Sequence, residues 1–245
     1  MRLAVISDIH GNIRALEAVL ARVRALADID RLVVAGDLLS GPLEPSETAE
    51  ALMALDAATI RGNHERQLLA CADRPGGASD QYAFEHTSAE QRAWLATLPA
   101  TLELAPDVLL CHGTPQTDLV YLCEELDGGP VKLASDEVIT GRLAGVRHAL
   151  VLSGHSHHPR TVRLSTGQLV VNAGSVGLQA FTGDPPHPHQ VENGSPHARF
   201  VVCERTSRGW QAEHHQISYD WDAASETAAR HGRPEWARWL RSGRV

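Results

Sequence analysis

The sequence predicts a layered α/β fold in which two β-sheets pack face to face as a sandwich between flanking helices. Three observations predict it. Short apolar runs alternate with helical patterns in the first half of the chain, strand-like runs dominate the second half, and 245 residues at 43% hydrophobic content can bury one full core. Residues 1–245 read as a single domain, with a loop at 182–198 and terminal helices over about 222–241.

"LAVIS" is the first strand, and a helix follows from about Asn12 to Ala27. Its apolar residues Ile13, Leu16, Val19, Leu20, Val23 and Leu26 recur at spacings of three and four and build one buried stripe, while Arg14, Glu17 and Arg24 face outward. "RLVVAG" is the next strand, Ser46 to Leu55 the next helix and "ATIRG" the third strand. Thr87 to Leu98 forms another helix with Ser88 as its cap. Strands follow at "DVLLCHG", "HALVLSGHSHHP", "TVRL", "QLVVNAG", "RFVVCE" and "WQAEHHQI". The stretch "TGDPPHPHQVENGSPHA" is rich in Pro, Gly and His and reads as the loop; "DAASETAARHG" and "PEWARWLRSG" read as the two last helices.

A net charge of -8 without any Lys/Arg run speaks against stable nucleic-acid binding through phosphates. The apolar run after Met1 is too short for a signal-peptide core, and no stretch approaches the roughly 20 apolar residues of a membrane span. A cytoplasmic chain without a membrane partner is the expectation. Cys71, Cys111, Cys123 and Cys203 form no C-x-x-C pair and are expected to be reduced and structural.

The chemistry gathers where strands stop. Asp8 and His10 stand two positions apart, a spacing that points both to one side if strand alternation continues. Taken alone, D-x-H fits a metal site or a helix cap with a histidine in the turn. Other strand-like runs end in Gly36-Asp37, in Gly62-Asn63-His64, in His112, and in His155 and His157. Open α/β sheets place ligands beyond the carboxyl ends of their strands, so these distant residues can share one volume. Asp8, His10, Asp37, Asn63, His112, His155 and His157 are too many for a tetrahedral zinc site but suit two ions with open positions. Imidazole, carboxylate and amide donors without thiolate favour manganese, iron or zinc.

The ordered set D-x-H, G-D, G-N-H-E, H-G and G-H-x-H resembles the calcineurin-like metallophosphoesterase family over roughly residues 3–177. "SDIHGN", "RGNHE" and "NAGSVG" are most similar to its compact bacterial and archaeal phosphodiesterase-like members. The resemblance implies that Asp8, His10 and His157 bind one ion, that Asn63, His112 and His155 bind the other, and that Asp37 bridges both. It also implies that His64 is a non-ligand imidazole beside the substrate. The implied activity is hydrolysis of phosphate esters, phosphodiesters foremost, by attack of a metal-bridging hydroxide. Glu65 stands where members often have Asp, and an acid of either length can orient His64. Ala173 stands where relatives commonly have Pro, and the loop after Gly177 is longer and richer in His.

Other readings share these residues. A phosphomonoesterase, a phosphoprotein phosphatase and a dinucleoside-polyphosphate hydrolase would use the same ligands, and a noncatalytic scaffold would use the fold alone. A scaffold has no chemical need for all seven donors plus His64. A small phosphate ester is the expected partner; the oligomeric state stays open. Asn12 either contacts a phosphate at the start of the first helix or caps that helix, and Arg61 either touches substrate or forms a strand-end ion pair. His187, His189 and His197 either cover the mouth of the site or lie in a solvated loop. His148, just before "ALVL", either occupies a strand entrance or serves as a ligand; His86, His214, His215 and His231 have no partner motif, and His158 points away from His157 if alternation holds. The five tryptophans read as core, and Ser175 lacks a supporting catalytic triad.

Overall fold

A computed structural model describes residues 1–126, 130–183 and 187–245. In chain order these form β1 (Arg2–Ile6), α1 (Ile13–Arg24), β2 (Arg31–Val34), α2 (Pro45–Met53), β3 (Ala57–Thr59), α3 (Asn63–Ala70), α4 (Ala78–Glu85) and α5 (Ala89–Thr97). β4 (Thr101–Ala105), β5 (Val108–Cys111), β6 (Glu124–Glu125), β7 (Lys132–Leu133), α6 (Asp136–Leu143), β8 (Leu150–Ser153), β9 (Arg160–Arg163) and β10 (Leu169–Asn172) follow. The chain ends with β11 (Ala180–Gly183), β12 (His189–Glu192), β13 (Ala198–Thr206), β14 (Gly209–Ile217), α7 (Trp221–Arg230) and α8 (Pro234–Ser242).

Two five-stranded sheets form the sandwich, in the orders β14-β13-β1-β2-β3 and β4-β5-β8-β10-β9. β1, β2 and β3 pair in parallel because helices return the chain between them, and β5, β8 and β10 are likewise parallel. Alternation along each strand explains why these runs are apolar throughout. Leu3 and Val5 face Val108, Leu110, Leu150 and Leu152 of the opposite sheet, whereas Ala4 and Ile6 face Leu16, Val19 and Leu20 of α1. The second sheet does the same in mirror fashion. Val151 and Val170 turn outward onto Ile139 and Leu143 of α6. Each fully buried Leu or Val contributes roughly 1.5–3 kcal/mol, so the layers have little tolerance for a register slip.

The predicted strands and helices all occur, with ends shifted by a few residues. Among elements absent from the sequence reading, α3 and α4 matter most, because both bring side chains to the site described below. Residues 182–198 are not one loop: they include the end of β11, all of β12 and the start of β13, and residues 184–186 lie outside the described residues. Backbone pairing of Ala180 with Glu192 and Thr182 with Gln190 makes this a hairpin despite its polar sequence. All four cysteines are buried and free, and no described helix is long and apolar enough to cross a membrane.

Candidate metal centre

β1, β2, β3, β5 and β8 end along one rim, and the chain turns sharply there. Asp8 N–H donates to Gly36 O at 3.0 Å, and the N–H groups of Ile9 and His10 donate to Asp37 O at 2.8 and 3.1 Å. Asp8, His10, Asp37, His155 and His157 all have left-handed backbones, with φ of 54°, 53°, 54°, 71° and 58°. They make up five of the seven non-glycine residues with positive φ among the described residues. Such a conformation costs roughly 1–2 kcal/mol per residue, and here it is concentrated at the rim that carries the candidate donors. Strand alternation is therefore not what aligns Asp8 with His10, because β1 has already ended at Ile6. The same correction applies to His158, which lies beyond the end of β8 at Ser153.

The seven predicted donors meet. Asp8, His10 and His157 offer ligand atoms within 4.8 Å of one another, as do Asp37, His112 and His155. His10 Nδ1 donates to Ser40 O, His157 Nδ1 to Leu178 O and His112 Nδ1 to Ala35 O, each at 2.7 Å. A carbonyl can only accept, so each Nδ1 carries a proton; in the neutral His10 and His157 rings this leaves a bare Nε2 lone pair facing inward. His10 Nε2 and His157 Nε2 face each other at 3.1 Å. Two lone pairs at that distance repel unless a cation or a proton lies between them.

Asn63 Nδ2 donates to Gln67 Oε1 at 3.2 Å, which leaves Asn63 Oδ1 turned toward His112 Nε2 at 3.2 Å. Asp37 Oδ2 lies 3.1 Å from the same nitrogen, and its Oδ1 accepts the His64 N–H at 3.0 Å. Both Asp8 oxygens accept the His155 N–H at 3.1 Å. A Cβ on Gly62 would lie 2.2 Å from Asp37 Oδ1, so only glycine allows the chain to pass there.

Burial sets much of the electrostatics. It pushes Asp8 up to about 7, helped by the Asp37 charge, and holds His10 down at about 4 and His155 at about 3. For His112, burial opposes the charged form, but Asp37 beside it prevails and raises it to about 10. Burial penalises ionised Asp37 too, yet His112 and His64 keep it well below the usual carboxylate range. A neutral, bare-nitrogen state of His10, His155 and His157 is the state a metal requires.

His64 is half-buried and has a partner the sequence reading missed. Its Nδ1 lies 2.7 Å from Asp80 Oδ1 on α4, leaving Nε2 with no hydrogen-bond partner among the described residues. Ser40 Oγ donates to that same oxygen at 2.7 Å. Burial disfavours a charged His64, but Asp37 and Asp80 outweigh it and raise the ring to about 9. Glu65 does not orient His64. Its carboxylate reaches back from the first turn of α3 and accepts the N–H groups of Asp37 at 2.9 Å, Leu38 at 2.7 Å and Gly62 at 2.7 Å. No motif spacing points to Asp80, which sits in a weakly amphipathic helix.

The remaining candidates divide. Asn12 takes the capping role: its Oδ1 accepts Ala15 N–H at 3.1 Å and its Nδ2 donates to Gly177 O at 3.0 Å, deep in the core. Arg61 has no ion pair among the described residues, and its Nε is buried without a partner outside the cavity. His187 and His189 line the cavity that also holds the candidate donors His10, Asp37, His155 and His157, whereas His197 bonds Ser195 Oγ outside it. Trp236 and Trp239 are buried as expected yet also form part of the cavity wall. Ser175 donates its hydroxyl to Asp8 O at 2.8 Å and so braces the turn at Asp8. His148 pairs with Glu103 at 2.8 Å, apart from the site. The cavity measures about 780 Å³, far more than a phosphoryl group fills.

A family model for the calcineurin-like phosphoesterase superfamily domain matches residues 1–188. The uncharacterized protein MJ0912 of Methanocaldococcus jannaschii is 25% identical over 245 residues, spanning 96% of this chain and 94% of that protein. A metallophosphoesterase from Sphaerobacter thermophilus has the same fold, with a TM-score of 0.75 and 22% identity over 99% of this chain and 100% of its own. The hypothetical protein PH1004 from Pyrococcus horikoshii OT3 also has a TM-score of 0.75, with 20% identity over 99% of this chain and 98% of its own. Fold, strand-end donors and family match agree, and the chain belongs to the calcineurin-like phosphoesterase superfamily.

Proposed function

We propose that this protein hydrolyses phosphate esters, phosphodiesters foremost, at a centre of two manganese, iron or zinc ions. Asp8, His10 and His157 would hold one ion, Asn63, His112 and His155 the other, and Asp37 both. The observation that carries this reading is the facing pair of bare Nε2 atoms on His10 and His157, 3.1 Å apart, each ring locked by a backbone carbonyl. A packing role gives no reason to confront two lone pairs in a buried site.

Bound ions supply positive charge for the phosphoryl oxygens and lower the pKa of water from 15.7 to about 7, a shift worth on the order of 12 kcal/mol. The chain's own residues position and protonate. His64 presents Nε2 to the cavity while Asp80 holds Nδ1, so the imidazole can give a proton to the departing oxygen. Water oxygen, having released one proton to solvent, bonds to phosphorus as the ester P–O bond breaks; the His64 proton completes the alcohol, and the ring regains a proton from solvent. A single acid contributes typically 10²- to 10⁴-fold, roughly 3–5 kcal/mol, so His64 modulates a reaction that depends first on the metals.

The test is reconstitution. Metal-depleted protein loaded with manganese, iron or zinc is assayed against bis-p-nitrophenyl phosphate, p-nitrophenyl phosphate and a dinucleoside tetraphosphate. Metal-dependent turnover, fastest on the diester, is expected. Faster turnover of either other ester would redirect the substrate class, and inactivity on all three with every ion would leave a noncatalytic scaffold.

A further inference from the structure

The cavity has two unlike sides. On the side of His10 and His64, Arg233 at the start of α8 donates to Ser79 Oγ at 3.2 Å and pairs with Glu235. On the side of His155 and His157 the wall is apolar. The Tyr121 ring packs edge-on against His155 at 4.7 Å, and the Phe181 ring against His157 at 4.7 Å. Leu119 and Val120 continue that wall outward and are 56% and 40% exposed, which is unusual for adjacent large apolar residues at a cavity rim.

His189 completes the wall through a specific construction. Its ring crosses β11 over Gly183, where a Cβ would meet it at 2.1 Å, so the glycine is what lets the ring lie there. His189 Nδ1 donates to His187 O at 2.7 Å, so its Nε2 accepts the Tyr121 hydroxyl at 2.8 Å. The His189 ring stands edge to face with Tyr121 at 5.4 Å and with Phe181 at 6.0 Å. Three rings held edge to face, with apolar side chains beyond them, offer a further planar ring the same geometry. His189 lies just past residue 188, where the family match ends.

We infer that this wall binds an aromatic ring carried on one ester oxygen of the substrate, making the preferred substrates phosphodiesters with an aryl or heteroaryl substituent. The inference rests on the phosphodiesterase reading above. The about 780 Å³ cavity has room for such a substituent beside the phosphoryl group, within the range typical of small-molecule sites. Its apolar wall adjoins the candidate ligands, so a ring placed there leaves phosphorus near the centre.

The test compares bis-p-nitrophenyl phosphate with methyl p-nitrophenyl phosphate, which share a leaving group and differ in the retained one. In a Leu119→Ser/Val120→Ser double variant, the ratio of kcat/KM for the aryl ester over the methyl ester is expected to fall at least tenfold, mainly through KM. Phe181→Leu should lower the same ratio, and both substitutions avoid the metal donors. A ratio unchanged within twofold in both variants would overturn the inference while leaving the phosphodiesterase intact. Calorimetry supplies an arm independent of turnover, which judges the wall even if neither ester is hydrolysed. Phenylphosphonate should bind the manganese-loaded protein at least tenfold more tightly than methylphosphonate, and the double variant should lose that preference; equal affinities in the unaltered protein would overturn the inference.

Discussion

Asp80 Oδ1 lies 2.7 Å from His64 Nδ1 and 2.7 Å from Ser40 Oγ, so a single carboxylate oxygen ties the candidate acid of the reaction to the turn after β2. Ser40 also accepts His10 Nδ1 at its backbone oxygen. One short turn thus orients a candidate ligand and the imidazole beside it. Residues that orient a functional imidazole are typically worth 10- to 100-fold.

Asp80→Asn should therefore lower kcat by roughly 10- to 100-fold while metal content and KM stay close to those of the unaltered protein. Steady-state kinetics with metal analysis on the same samples provides the check. A combined Asp80→Asn/His64→Ala variant should be no slower than His64→Ala alone, because the acid acts through the ring. Additive losses would separate the two residues.

Asp37 and His64 should fail in different ways. Asp37→Ala should lose metal and activity together, since its carboxylate stands beside His112 and belongs to one of the two donor groups. His64→Ala should keep its metal and slow by roughly 10²- to 10⁴-fold. Equal metal loss in the two variants would remove the distinction drawn between ligand and acid.

Metal should also stabilise the fold, because the rim concentrates strained backbones and facing lone pairs. An ion present at 100 times its dissociation constant adds about 2.7 kcal/mol. For a chain of this size that corresponds to a rise in Tm of roughly 5–10 °C over the metal-depleted protein. Differential scanning fluorimetry with manganese, iron or zinc measures it directly. No shift with any of them would count against an occupied centre.

Glu65 holds three buried backbone donors at the end of β2 and the start of α3. Glu65→Ala leaves all three without a partner, and buried unsatisfied donors cost about 1–3 kcal/mol each. Even at the low end, thermal melts should show a fall in Tm of roughly 6–12 °C. Glu65→Gln, which keeps one acceptor oxygen, should fall by less. An Ala variant as stable as the starting protein would show that solvent satisfies those groups.

The sequence by itself determined the layers and the cast of the site. Runs such as "LAVI" and "LVL" are apolar at every position because both faces of each strand are covered, and Gly-Asp, Gly-Asn-His and Gly-His steps mark where strands stop and donors begin. These are local signals, written within a few residues. Only the tertiary structure decided how the donors meet and what surrounds them. Left-handed turns, not strand alternation, aim Asp8 and His10; Asp80 reaches His64 from a separate helix; Glu65 serves the backbone; and His189 with Trp236 encloses the cavity from far along the chain. Periodicity specifies which face of an element is apolar, but contacts between residues distant in sequence arise only when the packed sheets bring those faces and strand ends together.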